Sequence, residues 1–385
     1  MVEKLSRRGR LIMTLIFGVF FFSGCTPGAT VAVAPKLKVP THEEKLQSYV
    51  QSLPLEVKVG QMLFVGIPGT DYDETASRLV EECHVGGVIH FDRNLISSGQ
   101  VQDLNNKLQV GAKSKGQGIP LFIAVDQEGG QVARMRQSLV VAPSAASLGE
   151  VGEPEEVKLW AVKTAQSLKN HGFNTNFAPV ADLGLTNRRS YGSTAETVTP
   201  MVEAALKGYE EAKLQCAIKH FPGIGKMLLD PHEDTSAINI SRQELEAMDM
   251  APFLAMVNKR PPRSYMIMVS HLVYPAFSKE PASVAPELLT EVLRKQWRYE
   301  GIIITDDMAM GGLSKVYSSE VMGIKAVDAG VDILLSCGAD PTMSYTIYRE
   351  ILNAAKAGRI SSSRLDASVM RILAAKEAIG LWQLP

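Results

Sequence analysis

The sequence predicts a single-domain (β/α)8 TIM barrel of the α/β class, and three observations support this fold class. From about residue 55 onward, short apolar runs that lack polar alternation are each followed by a segment of helical length. This pattern is typical of parallel strands that are buried on both faces. Eight such units in roughly 300 residues favour a closed barrel over an open doubly wound sheet. No dinucleotide-binding fingerprint follows the first strand, which also disfavours a Rossmann fold.

The predicted elements alternate along the chain in the order that a barrel requires. The strands are expected at 62–67, 87–91, 121–126, 174–180, 217–220, 266–271, 302–306 and 332–336. Amphipathic helices are expected between them at 98–112, 155–171, 199–214, 287–297 and 343–357. A last helical pattern at 365–379 is expected to close the barrel.

The composition is that of an ordinary globular protein. Hydrophobic residues make up 45% of the 385 residues and charged residues 21%, which argues against disorder. The net charge of −1 predicts no bulk attraction to nucleic acid or to an anionic membrane. No nucleic-acid partner is therefore expected.

The first 25 residues have the composition of an export signal. Basic residues precede the apolar run 11–22, which ends in Ser-Gly before Cys25. The run is too short to span a bilayer comfortably, so a signal peptide is favoured over a transmembrane helix. A cysteine directly after Ser-Gly resembles the lipobox of bacterial lipoproteins, which implies lipidation of Cys25. Ordinary signal cleavage nearby is the alternative.

This interpretation divides the chain into three parts. Residues 1–24 are predicted to be the lipoprotein signal peptide, 25–45 a flexible tether, and 46–385 the barrel. The mature protein is expected in the bacterial cell envelope, with its N-terminal lipid as the only contact with a membrane. The cysteines after Cys25 match no metal-binding spacing, and no metal or cofactor is expected.

Reactive side chains follow several of the predicted strands at the point where each strand ends. Asp126 ends the third strand, Lys219 and His220 the fifth, His271 the sixth, and Asp306 the seventh. Active sites of barrels lie at this end of the strands, which predicts a site there. The alternatives are that Asp306 caps the next helix, and that the Lys-His pair forms a salt bridge beside a core histidine.

The segment after His220 carries a second candidate group. Gly223 and Gly225 indicate irregular backbone, so His232 is expected on a loop, two residues after Asp230. A carboxylate that accepts one ring N–H fixes the imidazole tautomer and leaves the other nitrogen for proton transfer. The alternatives are a surface loop with an Asx-turn, and a zinc site with His220, whose spacing fits none of the usual signatures.

The chain resembles the β-N-acetylglucosaminidases of glycoside hydrolase family 3, bacterial enzymes of the peptidoglycan-recycling type. The resemblance extends over nearly the whole barrel and rests on several motifs in the right order. These are Lys219-His220-Phe221-Pro222-Gly223-x-Gly225 with Asp230-x-His232, Gly60-Gln61-Met62-Leu63-Phe64, Gly86-Gly87-Val88-Ile89, Asp126-Gln127-Glu128-Gly129-Gly130, Asn176-Phe177-Ala178-Pro179-Val180, Arg189-Ser190-Tyr191-Gly192 and Thr305-Asp306-Asp307-Met308-x-Met310.

The resemblance implies a role for each matching position. Asp306 would be the nucleophile, and His232, oriented by Asp230, the general acid/base of a retaining β-N-acetylhexosaminidase. The substrate would be a carbohydrate, namely terminal β-linked GlcNAc of a peptidoglycan fragment, and a monomer is expected. The sugar-binding residues would be Asp126, Arg134, Arg189, Lys219 and His220.

The chain also departs from the family pattern, without losing a residue assigned to bond chemistry. The departures are Ile224 in place of a histidine, Ser236 in place of proline, the apolar run Met227-Leu228-Leu229, Gln131 in place of arginine, and Arg188 in place of an acid. They leave loop conformation and fine specificity open. Two other functions also stay open: a phosphorylase of the same family, and a lipoprotein that binds wall glycans without cleaving them.

Overall fold

Eight parallel strands close into a barrel in chain order. The strands of the computed structural model are β1 (Leu63–Gly66), β2 (Gly87–Ile89), β3 (Phe122–Val125), β4 (Thr175–Asn176), β5 (Gln215–Phe221), β6 (Met266–Val269), β7 (Ile302–Asp307) and β8 (Ile333–Ser336). The barrel closes because β1 pairs with both β2 and β8. The structure describes residues 40–185, 187–225 and 237–385. Each predicted strand is present, which confirms the TIM-barrel prediction.

Helices lie between consecutive strands and surround the barrel. They are α1 (His42–Ser52), α2 (Leu55–Gln61), α3 (Glu74–Glu81), α4 (Ser98–Ser114), α5 (Ala145–Val151), α6 (Pro154–Asn170), α7 (Ala195–Glu211), α8 (Arg242–Ala247), α9 (Ala251–Lys259), α10 (Gly311–Ser314), α11 (Ser319–Ala329), α12 (Thr342–Lys356) and α13 (Ser362–Ala378). A π-helical segment spans Glu287–Gln296, and short 3-10 turns lie at Asp92–Asn94 and Ala282–Val284. No helix in the described ranges combines the length and the apolar character needed to cross a bilayer.

The strands are apolar without alternation because both of their faces are buried. Every residue of β1, β3, β6 and β8 is buried, with the barrel interior on one side and the helices on the other. A two-residue period appears only where one face of a sheet meets water. The unbroken apolar runs in the sequence therefore predicted parallel strands correctly.

The fourth strand differs most from its predicted range of 174–180. The β-ladder of β4 ends at Asn176, and Pro179 has no N–H to donate to a ladder. The chain nevertheless stays beside β5, since Val180 forms a β-bridge with Lys219 and Ala181 N–H donates to the carbonyl of Lys219 at 2.7 Å. This extended segment positions Asp182, which follows it.

The packed structure begins at α1, within the last residues of the segment predicted to be a tether. Thr41 caps this helix through a capping box with Glu44. Leu46 and Val50 of α1 belong to a small apolar cluster that also contains Val369 of α13. Helix α1 therefore packs against the helix that ends the barrel.

A buried ion cluster stabilises the end of the barrel where the strands begin. Asp332, fully buried just before β8, accepts hydrogen bonds from Ile303 N–H at 2.9 Å and Ser368 Oγ at 2.6 Å. The guanidinium groups of Arg294 and Arg371 also pair with it. These contacts join three elements of the barrel, so this carboxylate has a structural role.

Candidate active site

A cavity of about 360 Å³ opens at the carboxyl ends of the strands. The predicted nucleophile and the predicted sugar-binding residues all line it, which brings together side chains from four parts of the chain: Asp126, Arg134, Arg189, Lys219, His220 and Asp306. Barrel enzymes carry their active sites on this face. Another cavity, of about 260 Å³, is lined by residues of α1 and α13 and contains none of the predicted site residues.

Asp306 emerges from β7 into this cavity with one oxygen held by the backbone. Its Oδ1 accepts the N–H of Asp307 at 2.8 Å, and its Oδ2 lies 4.0 Å from Nε2 of His220. Burial alone would raise the pKa of Asp306, but its electrostatic interactions with the His220 and His271 rings and the backbone hydrogen bond lower it overall. The carboxylate is therefore ionised at neutral pH, as a nucleophile must be.

Lys219 is buried between two carboxylates beside the cavity. Its Nζ lies 2.7 Å from Oδ1 of Asp126 and 2.8 Å from Oε1 of Glu128. Burial opposes the charge, yet these two neighbours raise the pKa of Lys219, so the ammonium stays charged. An ammonium has three hydrogens, and two are used here, which leaves one to donate to a ligand. Lys219 thus forms a salt bridge, as in the alternative interpretation, and also lines the cavity, as the sugar-binding prediction requires.

Glu128 connects two of the predicted sugar-binding residues, although its sequence position alone predicted no site role for it. Its carboxylate accepts two hydrogen bonds from Arg189, Nε at 2.9 Å and Nη2 at 2.8 Å, in addition to Lys219. The positive charges of Lys219 and Arg189 overcome the effect of burial and lower the pKa of Glu128 to about 2. One carboxylate therefore fixes the relative positions of two cations.

The turn after β3 brings Glu128 into this position. Gly129 has a φ of +98°, and a Cβ there would lie 2.6 Å from the carbonyl oxygen of Pro143. Only glycine fits such a turn without strain. Glu128 follows Asp126 by two residues at a predicted strand end, and this position was the signal in the sequence for a side chain near the site.

His220 is hydrogen-bonded by Asp182, a second carboxylate for which no site role was predicted. Oδ2 of Asp182 lies 2.7 Å from Nδ1 of His220, and Asp182 is fully buried. The signal in the sequence was that Asp182 comes two residues after the fourth predicted strand.

Arg134 lies at the rim of the cavity. Its Nη1 donates to Oδ2 of Asp92 at 2.8 Å, and its guanidinium lies 5.8 Å from the centre of the Phe91 ring. Its Nε is buried and has no hydrogen-bond partner within the described ranges. Arg134 thus lines the cavity with a guanidinium that Asp92 holds at its Nη1 end.

His271, a candidate from its position at a strand end, lies behind the nucleophile instead of lining the cavity. Its Nε2 lies 3.0 Å from the carbonyl oxygen of Asp307 and its Nδ1 lies 2.6 Å from Oγ of Ser283. Burial lowers the pKa of His271, although Asp306 and Asp307 oppose this effect. The ring therefore holds the backbone that follows Asp306.

The predicted acid/base pair, Asp230 and His232, lies outside the described residues, as does Cys25. The described chain before this gap ends with Gly225, and Ile224 lines the cavity. Among the described residues, no group of three or more His, Cys, Asp or Glu side chains could hold a metal ion.

The fold and the cavity define the class of the protein as a (β/α)8 barrel with a polar site at the carboxyl ends of its strands. The chain belongs to glycoside hydrolase family 3, because residues 54–375 match the family model described as "Glycosyl hydrolase family 3 N terminal domain". This match covers most of the chain and confirms the family predicted from the motifs.

Named relatives and a solved structure agree with this assignment. Beta-hexosaminidase A of Pseudoalteromonas piscicida is 30% identical over 324 residues, covering 77% of this chain and 54% of that protein. Beta-hexosaminidase of Stenotrophomonas maltophilia strain K279a is 30% identical over 286 residues, covering 72% and 83%. The family 3 beta-N-acetylglucosaminidase of Paenibacillus sp. FPU-7 is 33% identical with a TM-score of 0.82, covering 86% and 63%. The chain thus spans about half of the first relative and less than two thirds of the Paenibacillus structure.

Proposed function

We propose that this protein is a retaining β-N-acetylglucosaminidase whose nucleophile is Asp306. One observation carries the proposal: the ionised carboxylate of Asp306 lies at the end of β7 in a cavity that the predicted sugar-binding residues also line. The relatives named above are beta-hexosaminidases and a beta-N-acetylglucosaminidase, which supports GlcNAc as the sugar.

The two oxygens of Asp306 have different surroundings, which suggests how the carboxylate would react. Oδ1 is engaged by the N–H of Asp307, whereas Oδ2 faces His220 across 4.0 Å. In the proposed first step, Oδ2 attacks the anomeric carbon as the bond to the leaving oxygen breaks, and a glycosyl ester forms. In the second step, water attacks the same carbon, the ester bond breaks and the Asp306 carboxylate is released. Two inversions retain the β configuration.

His232 would supply the proton exchange for both steps. It protonates the leaving oxygen in the first step and takes a proton from water in the second, while Asp230 accepts its other ring N–H. An unperturbed imidazole has a pKa of about 6.5, which suits this role near neutral pH. This part of the proposal rests on the family resemblance.

The buried polar groups would recognise the hydroxyls of the sugar. The third hydrogen of Lys219 and the N–H groups of Arg189 that Glu128 does not use are donors, and Oδ2 of Asp126 is an acceptor. A ligand that lacks a matching hydroxyl would leave such groups unpaired in a desolvated site, which gives discrimination.

The decisive experiment replaces Asp306 with alanine and follows hydrolysis of an aryl N-acetylglucosaminide and of a GlcNAc–MurNAc fragment. Turnover is expected to fall on the order of 10⁴-fold or more, because the glycosyl ester cannot form. A 5-fluoro N-acetylglucosaminyl fluoride, which keeps the 2-acetamido group, should label the peptide that contains Asp306, detected by mass spectrometry. A label on another carboxylate, or a loss below about tenfold in Asp306→Ala, would refute the assignment.

Two further measurements separate the alternatives. Replacing His232 with alanine should impair the GlcNAc–MurNAc fragment far more than an activated aryl glycoside, since a good leaving group needs no proton. Equal losses would argue against His232 as the acid. Release of sugar 1-phosphate in phosphate buffer would instead identify a phosphorylase.

A peptidoglycan fragment is the proposed natural substrate, and the cell envelope the proposed location. The support is the N-terminal signal and the Ser-Gly-Cys25 sequence, which together predict export and lipid anchoring. Labelled palmitate should be incorporated by the full-length protein in cells and not by Cys25→Ser. Incorporation into both would refute anchoring at Cys25.

A further inference from the structure

Asp182 makes an unusual set of contacts beneath the cavity. It is fully buried and does not line the cavity, yet it accepts hydrogen bonds from both His220 and Ile224. Its Oδ2 lies 2.7 Å from Nδ1 of His220, and both its oxygens lie 3.2 Å from the N–H of His220. Its Oδ1 also accepts the N–H of Ile224 at 2.9 Å. The side chain and the backbone of His220 are thus held by the same carboxylate.

These contacts determine which ring nitrogen of His220 carries a hydrogen. Both oxygens of Asp182 accept backbone N–H groups, and a carboxylate has no hydrogen of its own to donate, so Nδ1 of His220 is the donor in this contact. Because one end of the ring is fixed to Asp182, the other nitrogen, Nε2, faces the cavity and lies 4.0 Å from Oδ2 of Asp306. The His220 ring therefore lies between the buried carboxylate of Asp182 and the proposed nucleophile, with its orientation fixed by Asp182.

We propose that Asp182 is a positioning residue of the reaction, which keeps Nδ1–H of His220 bound and Nε2 directed at Asp306 and the sugar. This inference rests on the proposed role of Asp306 and extends it to a residue that touches neither substrate nor the reacting atoms. No proton is transferred through Asp182, since its function is to fix one imidazole orientation and one tautomer.

The substitution Asp182→Asn tests this role because it replaces one acceptor oxygen with a donor NH₂ group and leaves the shape of the side chain nearly unchanged. An asparagine offers a single acceptor oxygen for the backbone N–H groups of His220 and Ile224 and turns its NH₂ group toward the ring. The NH₂ group can only donate to Nδ1, which forces the hydrogen of a neutral imidazole onto Nε2. The tautomer of His220 should therefore reverse.

The first measurement is the ¹⁵N spectrum of the full-length protein labelled at histidine, with the His220 signals assigned from their absence in His220→Gln. We expect the hydrogen on Nδ1 in the wild type and on Nε2 in Asp182→Asn. A signal unchanged between the two would overturn the proposal. This readout does not depend on catalysis, so it stays informative if Asp306 proves not to be the nucleophile.

The second measurement is a double-mutant cycle on turnover of the aryl glycoside. Asp182→Asn should lower kcat about 100-fold while KM changes less than about threefold. Ring orientation matters most in the transition state, where the negative charge on Asp306 falls as the ester forms and positive charge develops on the sugar. In a His220→Gln background the same substitution should have almost no further effect, since its target is gone. Losses that multiply in the double variant would show a merely structural role and would refute the proposal.

Asp332→Asn is the matched control, because Asp332 is equally buried and lies at the opposite end of the barrel. It should lower the melting temperature without changing the His220 tautomer or kcat. A similar drop of kcat in Asp332→Asn would show that lost stability, and not positioning, explains the effect of Asp182→Asn.

Discussion

Replacing Glu128 with glutamine removes the negative charge that Arg189 and Lys219 share at the cavity. The wild-type carboxylate accepts three hydrogen bonds from cations at 2.8 to 2.9 Å, and only 7% of its side chain is exposed. Lys219 would keep Asp126 as a partner, whereas Arg189 has no other acidic contact within 4.0 Å in the described residues. The variant therefore leaves a buried guanidinium without its counter-charge.

The magnitude follows from the pKa of Glu128. Its neighbours lower this pKa from the ordinary value of 4.5 to about 2 in the folded protein. At neutral pH this difference corresponds to about 3 kcal/mol of folding free energy, close to the roughly 3–5 kcal/mol typical of a broken buried ion pair. Because the folded-state pKa is depressed, the stabilisation is complete above about pH 4.5 and is lost as the pH falls toward 2.

The assay is urea-induced unfolding of the wild type and Glu128→Gln at pH 7 and at pH 3. Glu150→Gln is the matched control, because Glu150 pairs with Arg188 at the surface, where 65% of its side chain is exposed. Such exposed pairs contribute at most about 1 kcal/mol. We expect a loss of about 3 kcal/mol for Glu128→Gln at pH 7, about half of that loss at pH 3, and almost none for Glu150→Gln. Equal losses in both variants, or a loss independent of pH, would refute the reasoning.

Two further predictions concern other buried positions. Lys376 is buried with Gln61 as its hydrogen-bond partner, and burial lowers its pKa. The free energy of unfolding of the wild type therefore falls as the pH drops below about 10.4, the ordinary lysine pKa. The gain in stability of Lys376→Met over the wild type should be larger at pH 7 than at pH 10.5. Melting temperatures at both pH values test this, and an equal difference at both would contradict it. Gly225→Ala should reduce activity more than about tenfold, because its Cβ would lie 1.6 Å from the carbonyl oxygen of Leu183 and displace the backbone next to a cavity-lining residue. Gly99→Ala, where a Cβ meets nothing within 4 Å, should keep full activity; equal kcat/KM values for the two variants would show that the clash is harmless.

The fold was predictable from the sequence because the burial of an element determines the pattern of apolar residues along it. Parallel strands covered on both faces need unbroken apolar runs, and eight such runs separated by amphipathic segments specify a closed barrel. Boundaries were less predictable where local chemistry intervened. Helix α7, expected at 199–214, begins at Ala195, because the side chain of Thr194 accepts the N–H of Thr197 and caps the helix earlier.

Part of the site was equally predictable. Asp306 follows an apolar run directly, and the geometry of a barrel brings all strand ends to one face, so its position at the cavity follows from residue order alone. The same barrel geometry brings Asp126 and Lys219 to the cavity. Each of these side chains belongs to the end of a strand, and a strand end can be read from the chain.

The residues that hold the site together were decided only by the tertiary structure. Glu128 contacts Arg189 across 61 positions of sequence, and Asp182 contacts His220 across 38. No local sequence pattern predicts either contact, because the two partners come together only when the barrel has closed and neighbouring strands lie side by side. The sequence by itself determined which strands exist and that Asp126, Lys219 and Asp306 lie at their carboxyl ends. Closure of the barrel decided which carboxylates fix the side chains of the site in place.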